Sequence, residues 1–105
     1  MEEVIFSTHI VEKLNELTHI LFDKEYFGFK ESAEKYTMAI YDHIYKIPKL
    51  KHHKTIHSQW GHFYIKYKPQ KSNTQYFITF DKKGDKYLIK NIFSNHTEEY
   101  VRFIK

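Results

Sequence analysis

Apolar residues recur along this chain at changing spacings, and each spacing predicts a different element. Val4, Ile5 and Phe6 form a short continuous run, the pattern of a first strand, and Ser7 and Thr8 behind it are residue types that cap helices. Ile10, Val11, Leu14, Leu17, Ile20 and Leu21 then return every three to four positions, which predicts an amphipathic helix over residues 8–22. Gly28 breaks that period. Ala33, Tyr36, Ile40, Ile44 and Ile47 restore it on one face of a second helix, which Pro48 stops. Glu31, Glu34, Lys35, Asp42 and Lys46 form the solvated side of that helix.

Residues 49–59 carry no clear period and read as a loop or the frayed end of a helix. From Trp60 onward the period becomes two, so residues 62–68, 74–80 and 86–93 are predicted strands joined by turn-rich segments at 69–73 and 81–85. Short consecutive connections make them an antiparallel meander. Asn95, His96, Thr97 and Glu98 resemble a capping box, with Asn95 as cap and Glu98 reaching back, opening a short helix through Tyr100 and Phe103. The expected class is α+β in the order β-α-α-β-β-β-α: a mainly antiparallel sheet packed on two N-terminal helices, with a short C-terminal helix.

Composition narrows the class. At 105 residues the chain is expected to be a single domain, residues 1–105, and its nine Tyr and nine Phe supply a real core. Cysteine is absent, which excludes disulfides, thiolate catalysis and Cys-type zinc sites. The acidic start and the lack of a long apolar run lead to the expectation of an unanchored, cytoplasmic protein with no membrane partner.

Charge changes the picture more. Residues 1–47 hold five basic and nine acidic residues, a net −4, whereas residues 48–105 hold twelve and four, a net +8. Residues 49–71 contain six lysines and four histidines without one carboxylate. A one-sided basic half with interleaved aromatics is the electrostatic footprint of a nucleic-acid binder.

Alternation along the first meander strand places His62, Tyr64, Lys66 and Lys68 on one face, and Phe63, Ile65 and Tyr67 on the face that meets the helices. The polar set is either a plain solvated sheet surface or, with Lys49, Lys51 and Lys54 nearby, one wall of a basic phosphate groove. His53 and His57 could share a helix face as a metal pair, but no carboxylate accompanies them, so surface or phosphate-contacting roles are expected for His52, His53 and His57, and no metal site. His96 and Tyr100, four apart at a helix start, form either a functional pair or an exposed residue beside a core aromatic. Trp60 and Gly61 read as a core anchor and a bend into the strand.

The order of elements, Trp60-Gly61 entering a basic strand with Tyr64, Lys66 and Lys68, the aromatic strand from Tyr76 to Asp81, and the ending Ile92-Phe93-Ser94-Asn95-His96-Thr97-Glu98-Glu99-Tyr100 together resemble the RelE/ParE superfamily of type II toxin-antitoxin toxins, in particular RelE-like and HigB-like mRNA interferases. The likeness spans essentially the whole chain. It implies an endoribonuclease that cuts mRNA on the ribosome without a metal or other cofactor, with a cognate antitoxin protein and RNA as partners. Carried over position by position, it implies Lys66 and Lys68 as the strand-borne cationic clamp and His96 with Tyr100 as the terminal pair; in the basic-groove reading of the residues themselves, Lys49, Lys51, Lys54, His62 and Tyr64 are expected to bind RNA beside them, with Lys54 helping the clamp. Arg102 is the one arginine, so lysines stand where relatives often use arginine. The alternative of another class is a non-catalytic ParE-like inhibitor, or an interaction module of the same fold.

Overall fold

The computed structural model of the chain describes residues 2–23, 30–55, 58–69 and 74–104. Strand β1 (Glu3–Phe6) leads into helices α1 (Thr8–Asp23) and α2 (Lys30–Tyr45). A single 3-10 turn (Ile47–Lys49) and a short strand β2 (His53–Lys54) follow, then a second such turn (Ser58–Trp60). Strands β3 (Phe63–Tyr67), β4 (Tyr76–Lys83) and β5 (Lys86–Ser94) and helix α3 (Glu98–Phe103) complete the order. The sheet runs β1-β5-β4-β3-β2. β1 lies parallel to β5 and every other pairing is antiparallel, so the α+β class and the β-α-α-β-β-β-α order stand, with β2 added at the edge.

The addition has a local cause. Thr55 donates its backbone N–H to the His62 carbonyl at 3.0 Å and its hydroxyl to the Gly61 carbonyl, which draws residues 53–55 onto the open edge of β3. The segment read as loop therefore extends the sheet. The hairpin from β4 to β5 is also tighter than the expected five-residue turn: Lys83 pairs with Lys86, and Gly84 at φ 63° takes the left-handed position a two-residue connection needs.

Helices α1 and α2 cover one face of the sheet. Ile10, Leu14, Ile40, Ile44 and Ile47 meet Ile65, Ile78, Phe80, Tyr87, Ile89 and Ile92 there, all buried. The other face, expected to be open and polar along β3, carries a second aromatic cluster. Phe77, Phe93 and Phe103 are buried on it, with Trp60, Tyr64 and Tyr100 packed around them. Phe77 and Phe93 point away from the helical layer because side chains alternate, and α3 supplies the cover that two more exposed phenylalanines would otherwise lack. Tyr64 is consequently half-buried, its ring meeting Phe103 edge-on at 5.0 Å.

α3 begins two residues later than its sequence suggests. Thr97 is the N-cap, in extended conformation, and its hydroxyl accepts from the Tyr100 N–H. Asn95 instead exchanges two hydrogen bonds with Gln75, backbone N–H to carbonyl at 2.9 Å and Gln75 N–H to the side-chain oxygen at 3.0 Å, which pins the turn to the start of β4. Glu98 pairs forward with Arg102 rather than back to Asn95.

Candidate nucleic-acid interface

The register of β3, β4 and β5 sets out the face under α3 in rows. Lys66 lies opposite Phe77, and Phe77 opposite Phe93; one step along, Tyr64 lies opposite Thr79, and Thr79 opposite Asn91. Tyr100 rests on the Phe77 ring at 5.1 Å, so Lys66 and Tyr100 flank the same phenylalanine from the sheet edge and from above. Tyr67, Tyr76 and Ser94 form the end row of the three strands and face the helices instead. Lys68 leaves the sheet one residue beyond Tyr67 and His96 two residues beyond Ser94, at the same end and two strands, roughly 10 Å, apart. The four residues carried over as catalytic, Lys66, Lys68, His96 and Tyr100, thus share one end of this face.

They do not form a bonded constellation. His96 lies in the turn before α3, outside the helix, so the i, i+4 relation to Tyr100 is absent; its backbone N–H reaches Ser94 Oγ at 3.3 Å. Its imidazole makes no hydrogen bond or ring contact with a described residue. Lys66 and Lys68 are exposed.

Lys49 and Lys51 are exposed in the connection from α2 to β2, and Lys54 on β2 itself. β2 extends the sheet plane instead of rising beside it, so the expected groove wall is an edge. Lys54 pairs with Phe63, on the helix side, which separates it from Lys66 and removes it as a direct helper of that group. The described ion pairs are Lys13 to Glu99, His62 to Asp81, Lys90 to Asp81 and Arg102 to Glu98. None of Lys49, Lys51, Lys54, Lys66 or Lys68 is neutralised by a described carboxylate.

The neighbouring histidines diverge. His52 turns inward, its Nε2–H donating to the Ile47 carbonyl at 2.8 Å and its ring lying 5.0 Å from Phe80. His53 turns outward and stacks on Tyr64 at 5.1 Å. The suggested pairing with His57 lies outside the described residues. Among the described residues no group of three metal-ligating side chains converges. From behind the sheet, His43 of α2 donates Nε2–H to the Lys66 carbonyl at 3.2 Å and packs on Tyr67 at 4.7 Å. Its burial holds the imidazole below its ordinary pKa, with the bond to Lys66 opposing and the Lys46 charge assisting.

At the opposite end of the same face His62 meets a carboxylate. Asp81 Oδ1 accepts from the His62 backbone N–H at 2.7 Å and from Nδ1 at 2.6 Å, and Oδ2 lies 3.8 Å from Lys90 Nζ. Burial pushes the Asp81 carboxyl up, but the hydrogen bonds from His62 and the charges of His62 and Lys90 outweigh it, leaving the group below its ordinary value. Lys90 owes its place to a bulge: Thr79 pairs with Asn91 but Phe80 with Ile89, so Lys90 is the extra residue. Beside it a recess of about 310 Å³ is lined by Gln59, Trp60, Lys90 and Asn91. A second cleft, of about 280 Å³, lies between α1 and β5 and is mostly apolar; its Lys13 is already bonded to Asn91 and Glu99.

Sequence reasoning missed Asp81 and Lys90. Asp81 becomes visible only once β3 and β4 are in register, and the eight residues between Tyr67 and Tyr76 leave that register open. No described helix is long and apolar enough to cross a membrane. Comparison of the chain with protein-family models, curated proteins and solved structures finds no match in any of the three.

Proposed function

We propose that the chain is the toxin of a type II toxin-antitoxin pair, an endoribonuclease acting on mRNA at the ribosome and held in check by a cognate antitoxin protein. The observation that carries this reading is the pair of exposed lysines without a described counter-ion, Lys66 and Lys68, bordering an aromatic sheet face that offers histidines at both of its ends. Unpaired ammonium groups bind phosphates, and aromatic rings stack bases without regard to sequence. Internal attack of a ribose 2′-OH on its own phosphate is a reaction that side-chain acid-base groups can run unaided, and the cytoplasm, where ribosomes work, is where it would act. The experiment is induction of the chain in a host cell, with growth and transcript 5′ ends followed together; arrest with new internal ends is the expected outcome.

A second reading is a ParE-like inhibitor acting by protein contact. It is favoured by one observation: His96 has no described side-chain partner to orient it, and Tyr100 is spent on Phe77. Arrest without new transcript ends is its signature.

A further inference from the structure

Of the described histidines, His62 is the one whose imidazole is oriented by a carboxylate. His43 and His52 give their Nε2 protons to backbone carbonyls, His53 lies flat on Tyr64, and His9 and His19 sit on α1, across the sheet from α3. His62 presents its Nδ1 to Asp81, and its Nε2 bonds to none of the described residues while its side chain is 66% exposed. A carboxylate acceptor on Nδ1 keeps the proton there in the neutral ring, so the Nε2 lone pair faces outward, as a general base requires.

Its surroundings are built. Gly61 holds φ 115°, where a side chain's Cβ would stand 3.0 Å from the Phe80 backbone nitrogen, and turns the chain so that His62 enters opposite Asp81. The bulge at Lys90 brings an ammonium to the same carboxylate. A plain surface ion pair needs neither a left-handed glycine nor a bulge, and the recess beside Lys90 has room for part of a nucleotide.

We infer that His62, positioned by Asp81 and flanked by Lys90, is the proton-transfer centre for cleaving a phosphodiester of single-stranded RNA. This rests on the RNA reading above and names the residues that do its chemistry. His62 Nε2 takes the proton of a ribose 2′-OH as that oxygen bonds to the adjacent phosphorus. The bond from phosphorus to the 5′-oxygen breaks, and the imidazolium returns its proton to that leaving oxygen. The products are a 2′,3′-cyclic phosphate and a 5′-hydroxyl, with His62 neutral again and no further reactant consumed. Lys90 meets the charge that develops on the phosphate oxygens. Lys66, four residues along the same strand and roughly 13 Å away, then contacts a flanking phosphate and serves binding.

The test uses the purified chain with a fluorescent single-stranded RNA, free and as message on ribosomes, measuring kcat, KM and RNA affinity. His62→Ala is expected to lower kcat about 10²- to 10⁴-fold with RNA affinity retained. Asp81→Asn should lower kcat with KM unchanged and alter the pH profile, and Asp81→Glu should restore part of the rate, which a merely structural carboxylate would not do. His9→Ala, at an exposed position of α1, should keep most of the activity. Cleavage at the wild-type rate by His62→Ala would overturn the assignment while leaving the RNA reading intact. A wild-type chain that neither binds nor cuts RNA in either form would overturn that reading, and the assignment with it.

Discussion

His43 donates a hydrogen bond from Nε2 to the carbonyl oxygen of Lys66, 3.2 Å away, so α2 fastens the strand that bears the candidate phosphate contact from the helical side. Burial keeps His43 below its ordinary pKa of 6.5, and the folded state therefore binds fewer protons than the unfolded chain. Its contribution to stability is complete above about pH 6.5 and falls as pH drops through the lowered folded value. Urea denaturation at pH 7 and pH 5 should show that loss in the wild type and a smaller one in His43→Gln.

Lys66 and Lys68 should set the salt dependence of RNA binding. Each lysine-phosphate contact on a single strand contributes a slope of roughly −0.7 in log K against log salt, so Lys66→Ala with Lys68→Ala should flatten the slope by about 1.4. Titrations between low and moderate salt measure it directly; an unchanged slope would move the anion site elsewhere.

Gly61→Ala should cost about 2 kcal/mol or more. A Cβ there would stand 3.0 Å from the Phe80 nitrogen and 3.1 Å from its oxygen, and φ 115° is strained for any L side chain. Chemical denaturation checks the stability, and loss of the His62 proton signals characteristic of a carboxylate-bound imidazole checks the geometry.

Phe103→Ala should destabilise by about 3 kcal/mol, the cost of emptying a buried phenyl site. Phe103 is 5% exposed and touches Trp60, Tyr64, Phe77 and Phe93, so its loss uncovers the face that α3 protects. A lowered urea midpoint at unchanged slope is the expected record.

Much of this fold was legible in residue order. The 3.6 period of Ile10, Leu14 and Leu17 and the alternation of Phe63, Ile65 and Tyr67 give α1 and β3 their buried faces. What could not be read was pairing. Phe77 and Phe93 look like core residues from sequence alone, and which side of the sheet they serve depends on a register fixed by Asn95 and Gln75 at one end and by Gly84 at the other. The same holds for the site: Lys66, Lys68, His96 and Tyr100 could be named from residue type and resemblance, whereas the His62 to Asp81 bond joins residues 19 apart that only a paired β3 and β4 bring together. The bulge that delivers Lys90 shows in β5 as a phase shift, the core-facing Tyr87 and Ile89 being followed by Ile92 with two polar residues between, a signal the strand reading passed over.

The most direct test of the central claim is end-group analysis of RNA after incubation of the purified chain with message-programmed ribosomes. The account expects new internal fragments carrying 2′,3′-cyclic phosphate and 5′-hydroxyl ends, formed by the wild type and lost in His62→Ala. Intact message, in a preparation that still arrests growth when expressed, would contradict it.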